Sequence, residues 1–125
     1  MTTLAPSPRV WRGLFWLLAA VIAVLSLLPG QDAVPLGTFD KLAHGSAYTA
    51  MAFAGALGSR SRAGLWGVVA FAALYGGAIE LLQALVPQRS CEFLDFFADS
   101  VGAVAGAALA VPVRTWLARI SDGDR

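Results

Sequence analysis

The chain has 125 residues, of which 58% are hydrophobic and only 14% charged, against about 45–50% and about 25% in ordinary soluble domains. Charges that few and that clustered exclude a soluble globular domain, and a net charge of +1 with no basic stripe excludes a nucleic-acid binder. The lone Cys91 excludes a disulfide framework and a cysteine-based zinc site within the chain.

Four apolar segments cover most of the sequence and predict an all-α bundle of four transmembrane helices forming a single domain, 1–125. The first runs from about Trp11 to Leu28 and stops at Pro29-Gly30. Its basic start (Arg9, Arg12) resembles a signal peptide, but no small-x-small cleavage site follows at Pro29-Gly30-Gln31-Asp32, so a retained span is expected. The second, Leu42 to Leu57, is softer because it carries His44, Ser46 and Tyr48, and it must turn these toward protein. The third spans Leu65 to Val86 before Pro87, and the fourth Leu94 to Val111 before Pro112. Spans of about 17–25 apolar residues cross a bilayer, and proline at their ends suits a residue that cannot continue a helix without losing a hydrogen bond.

Basic residues set the expected topology. Arg9, Arg12, Arg60, Arg62, Arg114, Arg119 and Arg125, seven of the nine, fall on one side of a four-span arrangement, leaving Lys41 and Arg89 on the other. The positive-inside rule then places both termini and the middle loop of a multi-pass membrane protein in the cytoplasm. The loops Pro29–Lys41 and Pro87–Phe93 face outward. In that orientation His44 and Tyr48 sit in the first outer turns of span two. Glu80 and Gln83 lie roughly 5–9 Å from the outer end of span three, at about 1.5 Å per residue. Asp95 and Asp99 occupy the outer turns of span four.

Spacing puts these groups on shared faces. Lys41, His44 and Tyr48 are at i, i+3 and i+7, Gly76, Glu80 and Gln83 repeat the pattern, and Asp95, Asp99, Gly102 and Gly106 continue it. The last series runs from carboxylates into a small-xxx-small step at Gly102 and Gly106, which lets another helix approach closely.

The composite pattern Asp40-Lys41-x-x-His44-x-x-x-Tyr48, Glu80-x-x-Gln83-x-x-x-Pro87-x-Arg89-x-x-Glu92-x-x-Asp95, Ala98-Asp99-x-x-Gly102-x-x-x-Gly106 resembles the VanZ-like family of small bacterial membrane proteins. The resemblance covers roughly Ser26 to Gly106. It implies a membrane bundle with a polar site and, through the family's best-known member, a link to teicoplanin resistance. Position 99 is Asp here, where the family more often has Asn. A carboxylate there is expected either to stay protonated through burial or to pair with Lys41, His44 or Arg89.

Candidate pocket residues are therefore Asp40, Lys41, His44, Tyr48, Glu80, Gln83, Arg89, Glu92, Asp95 and Asp99, with Gly102 and Gly106 for helix packing. Each polar group also fits a structural role. Asp40-Lys41 fits an interfacial helix start, His44 a hydrogen-bonded histidine, Tyr48 an aromatic belt, Glu80 an interhelical pair, and Arg89, Glu92 and Asp95 a solvated loop cluster.

Three functions stay open. One is recognition of an amphiphile, a membrane lipid or a lipid-linked envelope precursor or lipophilic drug, with Arg89 and Lys41 meeting its anionic group. Another is an intramembrane enzyme using His44 with Glu80 or Asp99 as acid and base, with or without the help of a metal ion. The third is a structural subunit that dimerises through the small-residue face of span four. Against the enzyme stand a single histidine and the lack of HExxH, GxSxG and a Gly-rich phosphate loop, and no cofactor or metal is expected.

Overall fold

The computed structural model describes residues 6–29 and 38–123. Four helices account for nearly all of them: α1 (Pro8–Ser26), α2 (Thr38–Gly58), α3 (Arg62–Gln83) and α4 (Phe93–Gly123). No strand occurs among the described residues. The fold is an all-α bundle.

Local chemistry explains the helix starts. Ser7 is extended ahead of α1, and Pro8 takes the first helical position, where its missing N–H costs nothing. Ser61 caps α3, its Oγ accepting from the Gly64 N–H at 3.0 Å. Asp40 and Asp95 lie in the first turns of α2 and α4, where a carboxylate meets the positive end of the helix dipole.

Successive helices alternate in direction. Lys41 meets Asp95, and Gly45 and Thr49 meet Gly102 and Gly106, so α2 and α4 run parallel. Tyr75 meets Ala19 and Gln83 meets Ser26, so α1 and α3 are parallel to each other. A Cβ at Gly102 would overlap the carbonyl oxygen of Gly45, and one at Gly106 that of Thr49. These glycines therefore set the backbone-to-backbone approach of α2 and α4. The small-residue face of α4 is consumed within the chain, which removes it as the dimerisation surface expected for a structural subunit.

The core follows from helical periodicity. Phe15, Ala19 and Ile22 form the buried stripe of α1 and pack with Tyr48, Met51, Ala52, Ala72 and Ala103. Ala56, Leu57, Ala107 and Ala110 form a second cluster toward the opposite end. The C-terminal half of α2 is buried nearly all round because Ala52, Ala54, Gly55, Ala56 and Gly58 let the other helices close over it. Large apolar residues instead cover the outside, among them Trp66, Leu74, Leu81, Leu85 and Phe93. So much exposed apolar surface belongs in lipid.

Three helical segments are long and apolar enough to cross a membrane: Pro8–Ser26, Arg62–Gln83 and Phe93–Asp122. The less apolar α2 has 21 residues, enough to span, and contacts all three of the others. Its softness is a consequence of facing protein.

The helix limits differ from the hydropathy segments. Helix α3 stops at Gln83, and residues 84–86 tighten into turns closed by Leu85 N–H to Leu82 O and Val86 N–H to Gln83 O, both 3.0 Å. Helix α4 does not stop at Pro112 but runs through it for 31 residues, about 45 Å at about 1.5 Å per residue. That exceeds a hydrocarbon core of about 30 Å, so Arg114, Arg119 and Trp116 sit on a helical extension rather than a tail. Proline is tolerated there because it lies past the last buried alanine, Ala110, and forfeits one backbone bond at an exposed position. Residues 30–37 of the loop after α1, including the Gly30-Gln31-Asp32 segment where no cleavage is expected, and Arg125 fall outside the described residues.

Candidate functional site

Polar side chains converge at one end of the bundle, where α1 and α3 finish and α2 and α4 begin. Five of the chain's eight acidic residues are here (Asp40, Glu80, Glu92, Asp95 and Asp99), together with Lys41, Arg89 and the only histidine. Glu80, Gln83, Asp95 and Asp99 are each no more than 5% exposed. Burial of that many polar groups is costly unless each finds a partner.

Two partnerships hold the outer layer. The Lys41 ammonium reaches Glu92 Oε2 and Asp95 Oδ1, both at 2.9 Å, tying α2 to the start of α4. Arg89 reaches across to α1, its Nε donating to the Leu28 carbonyl at 3.2 Å and Nη2 to the Leu25 carbonyl at 3.0 Å. Carbonyls at a helix C-terminus have no intrahelical donors, and a guanidinium satisfies them and the dipole together. The turn that delivers Arg89 has Pro87 followed by Gln88 at φ 58°, closed by Arg89 N–H to Val86 O at 3.2 Å. That is a type II arrangement, normally favouring glycine at the position of Gln88.

The inner layer is built from α2, α3 and α4. His44 Nδ1 lies 3.1 Å from Asp99 Oδ1, and its Nε2 lies 3.9 Å from Asp40 Oδ1. Of the three partners considered for Asp99, the structure selects His44. Lys41 and Arg89 are engaged elsewhere. Glu80 Oε2 accepts from the Glu92 N–H at 3.0 Å. Gln83 Nε2 donates to the Ser26 carbonyl at 3.0 Å. Gly76, one turn before Glu80, makes room for Asp99: a Cβ there would stand 3.1 Å from Asp99 Oδ2.

Three buried atoms in this layer have no hydrogen-bond partner among the described residues: Tyr48 Oη, Glu80 Oε1 and Asp99 Oδ2. Tyr48 is 1% exposed, which rules out the aromatic-belt role considered for it. A cavity of about 270 Å³ leads to His44 between α1 and α2, lined by Ile22, Leu25, Ser26, Asp40, Ala43, Ala47, Tyr48 and Arg89. Apolar grooves flank the bundle elsewhere, about 660 Å³ between α2 and α4 and about 740 Å³ between α3 and α4.

All ten candidate pocket residues thus lie at one end of the bundle. Tyr75, whose hydroxyl donates to the Ala19 carbonyl, and the carbonyls of Ser26, Leu25 and Leu28 were not singled out from the sequence. A backbone acceptor leaves no residue-type signal. Tyr75 carried only its position beside Gly76.

The family model for VanZ/LLP1 matches residues 3–117. The chain belongs to the VanZ/LLP1 family. The match covers the whole polar end, so the buried carboxylates and His44 lie inside the VanZ/LLP1 domain. No curated protein and no solved structure matches the chain.

Proposed function

We propose that this VanZ/LLP1 membrane protein sits in the bacterial cytoplasmic membrane with both termini inside, and that its polar end, facing out, recognises the headgroup of a lipid-like or lipid-linked envelope amphiphile. The observation that carries this reading is the cavity between α1 and α2. Its walls are apolar (Ile22, Leu25, Ala43, Ala47), while Asp40, His44, Tyr48 and Arg89 supply polar groups. At about 270 Å³ it is nearer the size of a headgroup than of a whole lipid, and drug-sized pockets start at about 300 Å³. Tyr48 Oη supplies a buried hydroxyl with no partner for an incoming ligand. Lys41 and Arg89 hold the pocket together through intramolecular contacts, so they frame the headgroup rather than wait for it. A role in teicoplanin resistance follows from this reading if the amphiphile is a cell-wall precursor.

Native mass spectrometry of the protein released from membranes tests it. The expected result is a retained adduct of amphiphile mass that is lost in Tyr48→Phe and His44→Gln, both still folded by circular dichroism. Absence of any adduct, or an adduct indifferent to both changes, overturns the reading.

A second reading, acid–base chemistry on the bound amphiphile, is favoured by the His44–Asp99 pair. A fully buried carboxylate 3.1 Å from an imidazole nitrogen orients the ring and stabilises its cation. Turnover of the bound amphiphile by the wild type and its loss in Asp99→Asn, with binding kept, would establish that chemistry.

A further inference from the structure

We propose that His44, Glu80 and Asp99 form a binding site for a divalent first-row transition metal ion, Mn²⁺ or Zn²⁺, in the buried polar layer behind the cavity that His44 lines. One donor atom from each residue lies within 4.8 Å of the other two, on three different helices. His44 Nδ1 and Asp99 Oδ1 are 3.1 Å apart. Metal–ligand bonds of about 2.0–2.2 Å at tetrahedral or octahedral angles separate neighbouring ligands by about 2.8–3.6 Å. The pair therefore already stands at the spacing of two adjacent ligands.

The unpartnered oxygens point the same way. Glu80 is 3% exposed and Asp99 fully buried, and each has one carboxylate oxygen, Oε1 and Oδ2, with no hydrogen-bond partner among the described residues. Two carboxylates beside a neutral imidazole carry two negative charges, which a dication cancels in a medium where uncancelled charge is expensive. Lys41 cannot do this, because its ammonium is held by Glu92 and Asp95.

One support behind the ligands is in place: Glu80 Oε2 is fixed by the Glu92 N–H. Once Nδ1 is a ligand, the ring proton resides on Nε2, and Asp40 Oδ1 stands 3.9 Å from it, close enough to become, after a small side-chain rotation, the outer partner that metal-bound histidines usually have. One imidazole with two carboxylates suits Mn²⁺ or Zn²⁺ better than Mg²⁺ or Ca²⁺, which prefer oxygen alone.

A second group, Asp40, His44 and Asp95, is equally close-set. It is the weaker candidate, because Asp95 Oδ1 is taken by Lys41 and neither carboxylate has a buried oxygen without a partner. The link to function rests on the preceding reading: a dication held by His44, which lines the cavity, adds positive charge beside it for a phosphate or carboxylate headgroup. The metal site itself needs no amphiphile.

The full chain, purified in detergent with any affinity tag removed and stripped by chelator, is titrated with MnCl₂ while electron paramagnetic resonance reads free Mn²⁺. Binding of one equivalent is expected, displaced by Zn²⁺ and not by equimolar Mg²⁺. Because the chain has a single histidine, nitrogen coupling in the pulsed spectrum of wild-type protein identifies His44 as a ligand without any variant. Glu80→Gln and Asp99→Asn should each weaken binding at least about tenfold. No binding at millimolar metal, binding without nitrogen coupling, or binding lost in Asp40→Asn but kept in Glu80→Gln overturns the proposal. Repeating native mass spectrometry with chelator present separates the two readings: an amphiphile adduct without metal binding refutes only the cation site, and metal binding without an adduct refutes only the headgroup site.

Discussion

The two oxygens of Glu80 differ in their surroundings. One accepts from the Glu92 N–H, and the other is buried with no partner among the described residues. Glu80→Gln keeps a carbonyl acceptor for the N–H, so stability should stay within about 1 kcal/mol of wild type. Glu80→Leu removes the acceptor and should cost about 1–3 kcal/mol. Thermal unfolding in detergent measures the difference, and equal loss in both variants would show that the charge rather than the acceptor is what the fold needs. Gln83 offers a plainer case. Its side-chain bond among the described residues, to the Ser26 carbonyl, is an interhelical contact of a kind that averages about 0.6 kcal/mol and reaches about 1.7 in membrane bundles. Gln83→Leu should therefore stay folded, with a loss below about 2 kcal/mol in the same assay.

At the scale of elements, the sequence made the polar faces legible and hid the contacts between them. Steps of three and four put His44, Tyr48, Glu80, Gln83, Asp95 and Asp99 on inward faces, and all but the half-buried His44 are buried. What the spacing could not supply was which helix answers which. Lys41 on α2 pairs with α4, Arg89 from the α3–α4 turn caps α1, and the close-set His44, Glu80 and Asp99 come from α2, α3 and α4. Metal-ligand spacing rules detect donors on one helix or loop, so a site split over three helices gives no such signal. Pro112 misled for a related reason, since a proline past the buried stripe sacrifices a bond without ending the helix.

Arg89 and the glycines of α4 give element-scale tests. Lysine can offer one charge to α1 but not the planar fork that spans the carbonyls of Leu25 and Leu28. Arg89→Lys should raise amide hydrogen exchange in the last turn of α1 while leaving the exchange of α2 unchanged. Equal exchange throughout would show that the cap is dispensable. Gly106→Leu should destabilise the bundle by about 3 kcal/mol or more, because its side chain must push α2 away. Gly67→Ala, at an open position on α3, should be neutral or stabilising by up to about 1 kcal/mol. Similar melting temperatures for these two variants would mean that α2 and α4 are not held by that close approach.

The orientation of the whole molecule decides whether the polar end meets the envelope or the cytoplasm. Alternating helix directions put Arg9, Arg12, Arg60, Arg62, Arg114 and Arg119 toward the end opposite the acid cluster, and a basic excess near span ends marks the cytoplasmic side. The chain carries its own probe of the other end. Cys91 is exposed, free, and in the turn between α3 and α4 beside Glu92. Ser61, the cap of α3, sits at the basic end. In intact cells a membrane-impermeant maleimide should label wild-type protein at Cys91. It should not label a Cys91→Ala, Ser61→Cys double variant until the membrane is opened. The inverse pattern would place the cavity on the cytoplasmic side, where the headgroup of an envelope precursor already flipped outward cannot reach it, and the amphiphile would have to be sought among lipids of the inner leaflet.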